Sequence, residues 1–163
     1  MPTGWSVDNS ASSSSGGIPC LKPIKAPSRH EIKATASYAD GSLPAIQEVV
    51  AAGSGAASSY RALNRALAAC KSFTSSSGGQ KVTGNIGAMS FPSVANGSSA
   101  YAIKISIDGI DAGADLVLFK AGKYVGAVLY EDIGTPDPQQ VQAFVKEALE
   151  KIQGRPTGIP TTF

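Results

Sequence analysis

The sequence predicts an α+β domain: a mostly antiparallel sheet of about six strands with two main helices packed on one face. Three observations carry that expectation. Several stretches alternate apolar and polar residues with the period of a half-buried strand, and two others repeat apolar residues with the period of a helix. The strand-like runs are also joined by connections of hairpin length. At 163 residues the chain has the size of one domain and can bury a real core.

The elements follow in order. Ile32, Ala34, Ala36 and Tyr38 alternate with Lys33, Thr35 and Ser37, the pattern of a half-buried strand. Asp40-Gly41 supplies turn chemistry into a second apolar run, Ala45 to Ala52. Tyr60, Leu63, Leu67 and Cys70 then recur at helical spacing, with Arg61 and Arg65 turned away and Ser54 or Gly55 as cap. Val82, Ile86 and Ala88 oppose Thr83 and Asn85 in a further strand. Asn96-Gly97 turns into the cleanest alternation, Tyr101, Ile103, Ile105 and Ile107 against Ala102, Lys104, Ser106 and Asp108. Leu116–Phe119 and Val125–Tyr130 flank a tight connection at 120–123. The last helix is capped by Asp137, with Pro138 at its first position and Gln140 completing a box-like pattern. Val141, Phe144, Val145, Ala148, Leu149 and Ile152 make its stripe, Glu147 and Lys151 an i,i+4 pair, and Gly154 and Pro156 end it.

Outside the 30–154 domain, residues 1–29 read as a flexible Ser/Gly/Pro-rich arm and 155–163 as a tail. Only 16% of residues are charged, against about 25% in typical domains. Fourteen basic and 12 acidic side chains are interspersed, leaving no electrostatic footprint for nucleic acid. No stretch approaches the roughly 20 apolar residues of a membrane-spanning helix. The N-terminus lacks the basic-then-apolar order of a secretory leader, which fits a cytosolic protein or one whose leader has been removed. Cys20 follows Gly17-Ile18-Pro19, not the small-residue lead-in of a lipid-modified cysteine, so it is not read as an anchor.

Cys20 and Cys70 are either a disulfide or two unrelated buried thiols. A bridge would close a 51-residue loop, worth about 4 kcal/mol in the chain-entropy model, and would tie down the Pro-rich arm. It is the preferred reading, and an oxidising, extracytoplasmic compartment comes with it. With no C-x-x-C and a lone His30, the cysteines make no zinc set, and no metal or cofactor is expected.

Other motifs have plain explanations. Gly53-Ser54-Gly55 stands where a dinucleotide fingerprint would, but Ser58 holds the third glycine position; a turn with a helix cap explains it, with a weak anion site at the helix start as the alternative. Asp108, Asp111 and Asp115 lack calcium-loop spacing and read as solvated hairpin residues. His30 reads as a surface residue, since no G-x-S-x-G or S-x-x-K accompanies it. Asn96-Gly97-Ser98 fits a glycosylation acceptor but is explained as a turn, and Trp5 as a plug against the body. The polar strand faces, with Lys33, Thr35, Ser37, Thr83, Asn85, Lys104 and Ser106, form either a solvated sheet surface or a ligand groove.

The order of motifs ALAACKSF, KVTGNIGAMSFPSVANGSSAYAIKI, ADLVLFKAGKYVGAVLYEDIG and TPDPQQVQAFVKEALEKI resembles actinobacterial exported sensor-type lipoprotein domains. These are related to the extracellular sensor domain of PknH-type mycobacterial receptor kinases. Gly4-Trp5, Pro19 to Leu21 and Pro136 to Pro138 belong to the likeness, which covers most of residues 4–152. The resemblance implies a single α+β domain outside the cytoplasmic membrane, disulfide-bonded and tethered by a Ser/Gly linker, sensing a ligand in a cleft without catalysis. The kinase-linked sensor is expected to hold two disulfides. Here only Cys20–Cys70 can form, which favours the free-standing lipoprotein branch.

The leading expectation is a secreted or membrane-tethered module that binds a small molecule or cell-envelope component, with the membrane reached through an anchor outside this chain. Tyr38, Tyr101 and Tyr130 are the candidates for lining its groove, each with an apolar body and a polar tip, together with Lys104. A core role for each tyrosine is the alternative. A protein-interaction or structural envelope domain using the exposed sheet is the second reading, and a hydrolase built on His30 the third.

Overall fold

The computed structural model describes residues 6–7, 19, 32–39, 44–52, 55–77 and 79–154, the segment 32–39 through its backbone. The elements are β1 (Ser6–Val7), β2 (Ile32–Ala39), β3 (Ala45–Ala52), α1 (Ala56–Ala69), β4 (Ser72–Ser77), β5 (Gln80–Ala88), β6 (Ser98–Ile107), β7 (Ile110–Ala121), β8 (Tyr124–Ile133) and α2 (Pro138–Ile152). They form one sheet in the order β1-β2-β3-β8-β7-β6-β5-β4, with every neighbouring pair antiparallel. The α+β class and antiparallel sheet are those the alternation predicts. The sheet is wider than the six runs by β1 and β4. The first is only two residues long, and the second reads SFTSSS, where Phe73 alone is apolar, too little for a period to register.

The path has one long excursion. β3 lies beside β8, yet the next strand, β4, is at the far edge. α1 carries the chain across one face of the sheet to reach it. From β4 the chain then returns as a meander, β5 to β8, until β8 closes against β3. The β6–β7 hairpin turns on Asp108-Gly109, both at positive φ (49° and 87°), the left-handed pair that a two-residue turn requires.

The two helices lie on opposite faces, which corrects the expectation that both pack on one. Two separate buried clusters establish this. Val141, Phe144, Val145 and Ala148 of α2 pack with Val117, Phe119, Val128 and Tyr130. Leu67 and Cys70, at the end of α1, pack with Tyr101, Ile103, Ala114, Leu116 and Leu118. Consecutive residues of β7 thus belong to different clusters, as a strand buried on both sides demands. The physical reason is written in β7 itself. Leu116-Val117-Leu118-Phe119 is an unbroken apolar run, and a single covered face would have left every second one of these side chains in water.

Gly55 caps α1 without a side-chain bond, while Ser58 Oγ donates to the Gly55 carbonyl at 2.7 Å. Asp137 caps α2 as its position predicts, accepting from the Gln139 N–H at 2.9 Å. Asp108 and Asp111 are exposed, but Asp115 is 4% exposed and belongs to the interior, contrary to its reading as a solvated hairpin residue. Its place is set by register: it faces Ala102 and Tyr130 in mid-strand, several residues from the turn. Among the described residues no three His, Cys, Asp or Glu side chains gather closely enough to hold a metal ion. No described helix is long and apolar enough to cross a membrane.

Candidate functional site

A groove of about 550 Å3 opens beside α1, lined by Arg61, Asn64, Arg65, Ala68 and Tyr101. The first four recur at i, i+3, i+4 and i+7, so they form one stripe of the helix, adjacent to the stripe that Leu63 and Leu67 bury. Tyr101 rises from β6, on the face that α1 covers.

Beneath the groove a polar network is inserted between helix and sheet, with Asn64 and Tyr101 reaching the groove lining. The Tyr101 hydroxyl donates to Asn64 Oδ1 and lies 3.2 Å from the Asn64 carbonyl. Asn64 Nδ2 donates to Ser99 Oγ at 2.8 Å, and the Tyr60 hydroxyl stands 3.5 Å from the same oxygen. Burial, and then the neighbouring Tyr60, push the Tyr101 hydroxyl above the ordinary tyrosine range, so it stays protonated and a donor. The rim is cationic. Arg61 and Arg65 are exposed, and none of the lining residues is acidic.

The four ligand candidates are not brought together. Tyr101 lines the groove. Tyr130 lies on the opposite face, 1% exposed beneath α2, with its ring stacked on Phe144 at 5.8 Å between centroids. Its hydroxyl is shared between Gln140 Oε1 at 2.8 Å and Asp132 Oδ2 at 3.3 Å. Burial and the charges of Asp132 and Asp137 push this hydroxyl up to about 12. Its role is core packing, the alternative already allowed for it. Lys104 is exposed on β6 between Asn85 and Gly113, in register with strand positions on the α2 side of the sheet. Tyr38 stands opposite Ile46, which in turn stands opposite Tyr130, so its backbone belongs to that row and not to Tyr101's.

Cys70 is 4% exposed at the end of α1 and is not a free thiol. Cys20, Trp5 and His30 lie outside the described residues, as do the side chains of Lys33, Thr35 and Ser37. Of the remaining polar strand residues, Asn85 is exposed and Thr83 and Ser106 are half-buried. Asn96 of the acceptor-like tripeptide uses its side chain as a turn residue would, Oδ1 accepting from the Gly122 N–H at 2.8 Å. It borders a second hollow of about 480 Å3 that reaches Lys123, Tyr124 and Gln153.

Arg61, Asn64 and Arg65 were not singled out from the sequence as groove residues. The available signal was their spacing. A polar triplet at i, i+3, i+4 beside a buried stripe marks a helix flank, but only the neighbouring strand makes that flank a groove.

No family profile matches the sequence, and no curated protein matches it. Among solved structures the fold is similar to the crystal structure of the extracellular domain of PknH from Mycobacterium tuberculosis, with a TM-score of 0.59 and 11% identity. The similarity covers 76% of this chain and 64% of that one. The relation suggested by the order of motifs thus holds at the level of fold.

Proposed function

We propose that the domain is a non-catalytic sensing module acting outside the cytoplasmic membrane, which takes a small molecule or cell-envelope component in the groove beside α1. The observation that carries this reading is the shallow groove itself, where a helix stripe with two cationic side chains lies beside Tyr101 and its hydrogen bond to Asn64. The likeness of fold to an extracellular domain supports the compartment. A tether through a lipid-modified N-terminal region and a Cys20–Cys70 bridge belong to the same proposal. Amide NMR of the 15N-labelled chain, titrated with small-molecule and envelope-lipid fractions, tests it. Binding should move residues 61–68 and 99–103. Shifts confined to another region would remove the groove from the reading, and no shifts with any fraction would remove ligand binding.

A second reading, a protein-interaction domain, is favoured by one observation. Ile110 and Ile133 are 72% and 71% exposed at the β6–β7 turn and the end of β8. Ile133 stands opposite Ala112 and Ile110 opposite Ile107, so both flank the same end of the sheet. Sedimentation velocity separates the readings: a monomer at all concentrations leaves the sensing reading alone, and self-association lost in Ile110→Ser/Ile133→Ser supports the second.

A further inference from the structure

The groove's hydrogen-bonding capacity is lopsided. Its floor is internally satisfied, since Tyr101 donates to Asn64 and Asn64 to Ser99. What stays uncommitted is at the rim. α1 carries no acidic residue, and its only charges are Arg61 and Arg65. They stand at i,i+4, where like charges repel, and among the described residues neither forms an ion pair. Arg65 Nε donates to the Arg61 carbonyl at 3.4 Å, which holds that guanidinium along the helix and leaves its terminal nitrogens without a hydrogen bond among the described residues. A guanidinium donates and never accepts. A ligand completing this surface must therefore bring acceptors and negative charge. Two forks one helical turn apart carry two positive charges; a carboxylate answers them with two oxygens and one negative charge, whereas a phosphoryl group brings three oxygens and a charge of about −1.5 to −2.

Resting on the sensing reading, we propose that the groove beside α1 receives a phosphoryl group, held between Arg61 and Arg65 over the Tyr101–Asn64 floor. The group can arrive on a soluble phosphate ester or as a lipid headgroup, and the chemistry of recognition is the same.

The test uses the whole chain and the Arg61→Gln/Arg65→Gln double variant. Both side chains are exposed, so the variant should keep the wild-type amide spectrum outside α1. NMR titrations use inorganic phosphate, glycerol 3-phosphate and, as the neutral control, glycerol. Co-sedimentation uses vesicles of phosphatidylglycerol against phosphatidylcholine. The expected result is saturable movement of residues 61–68 with the phosphates and not with glycerol, weakened about ten-fold or more in the double variant and weakened by salt. Arginine-dependent sedimentation with phosphatidylglycerol alone, without response to the soluble phosphates, assigns the phosphoryl group to a headgroup. The proposal is overturned if neither phosphate nor anionic vesicles engage the groove, or if the double variant binds as the wild type does. A neutral envelope fraction that still moves 61–68 in that case leaves the sensing reading standing while the phosphoryl ligand falls. If no fraction moves them, both fall.

Discussion

Lys151 projects from the last turn of α2 onto β3, where its ammonium meets Glu48 Oε2 at 3.0 Å and Glu147 Oε1 at 3.1 Å. Burial alone would lower the Lys151 pKa, but the hydrogen bonds and charges of Glu48 and then Glu147 outweigh it and hold it above the ordinary lysine value. Glu48 is 8% exposed, so its carboxylate depends on this partner. Lys151→Met should therefore destabilise by about 2 kcal/mol in urea titration, while Glu48→Gln/Lys151→Met recovers much of the loss. A double variant as unstable as the sum of its parts would refute the coupling. Asp115 is the opposite case. It is buried with no ion pair or hydrogen bond among the described residues, and burial raises its carboxyl above the usual range. The fold thus prefers the protonated acid. Ionisation of Asp115 adds no cost below the ordinary carboxylate range; that cost grows as pH rises from there to the raised folded value and is complete above it. Asp115→Asn should stabilise the domain at neutral pH by about 1 kcal/mol, with the gain vanishing near pH 3. A gain that persists unchanged at low pH would point to packing instead of charge. The Glu147–Lys151 pair was legible from i,i+4 spacing. Glu48 was not, because its partner is 103 residues away and the contact exists only once α2 packs on the sheet.

Gly126 of β8 shows how an element is shaped by what lies over it. A Cβ placed there would stand 2.2 Å from the ring of Phe119, which is 0% exposed and has nowhere to go. Gly87 of β5 has nothing within 4 Å of the same position. Gly126→Ala should cost about 2 kcal/mol by overpacking, and Gly87→Ala should be near neutral, as read from chemical denaturation midpoints. Equal effects would mean that backbone propensity, not the Phe119 ring, decides the choice of glycine. The elements themselves were largely legible. The Tyr101–Ile107 alternation, the Asp137-Pro138 start and the α2 stripe each rest on a local rule, and each is found where that rule puts it. β4 was not legible, because Ser, Thr and one Phe carry little hydrophobic signal. That strand is recruited by its partner, Phe73 lying over Gly84, where a Cβ would come within 2.3 Å of the ring.

At the scale of the whole molecule, α1 crosses one face and α2 covers the other, and the sheet is filled from both sides. Cys70 ends α1 in the buried cluster beside Leu67 and Ile86, so a bridge from Cys20 would fasten the N-terminal arm to the helix just before β4 begins. Thiol titration of the unfolded, unreduced protein should find no free cysteine, and reduction should lower stability by about 3 kcal/mol, roughly 10 °C in the melting midpoint. Two titratable thiols would sink the bridge. By itself the sequence determined the α+β class, the helix stripes and caps and the tight turn between β7 and β8, because each depends on residues close in the chain; the Asp40-Gly41 turn lies outside the described residues. It also placed Tyr101 among the groove candidates, through the amphipathic character of tyrosine. Only the tertiary structure decided which face each helix covers, and with it that Tyr101 and Tyr130 are separated by the sheet instead of sharing a wall. That choice is non-local. A strand's period says that two faces alternate, but the excursion of α1 to the far edge decides which helix meets which face, and so on which side the groove opens.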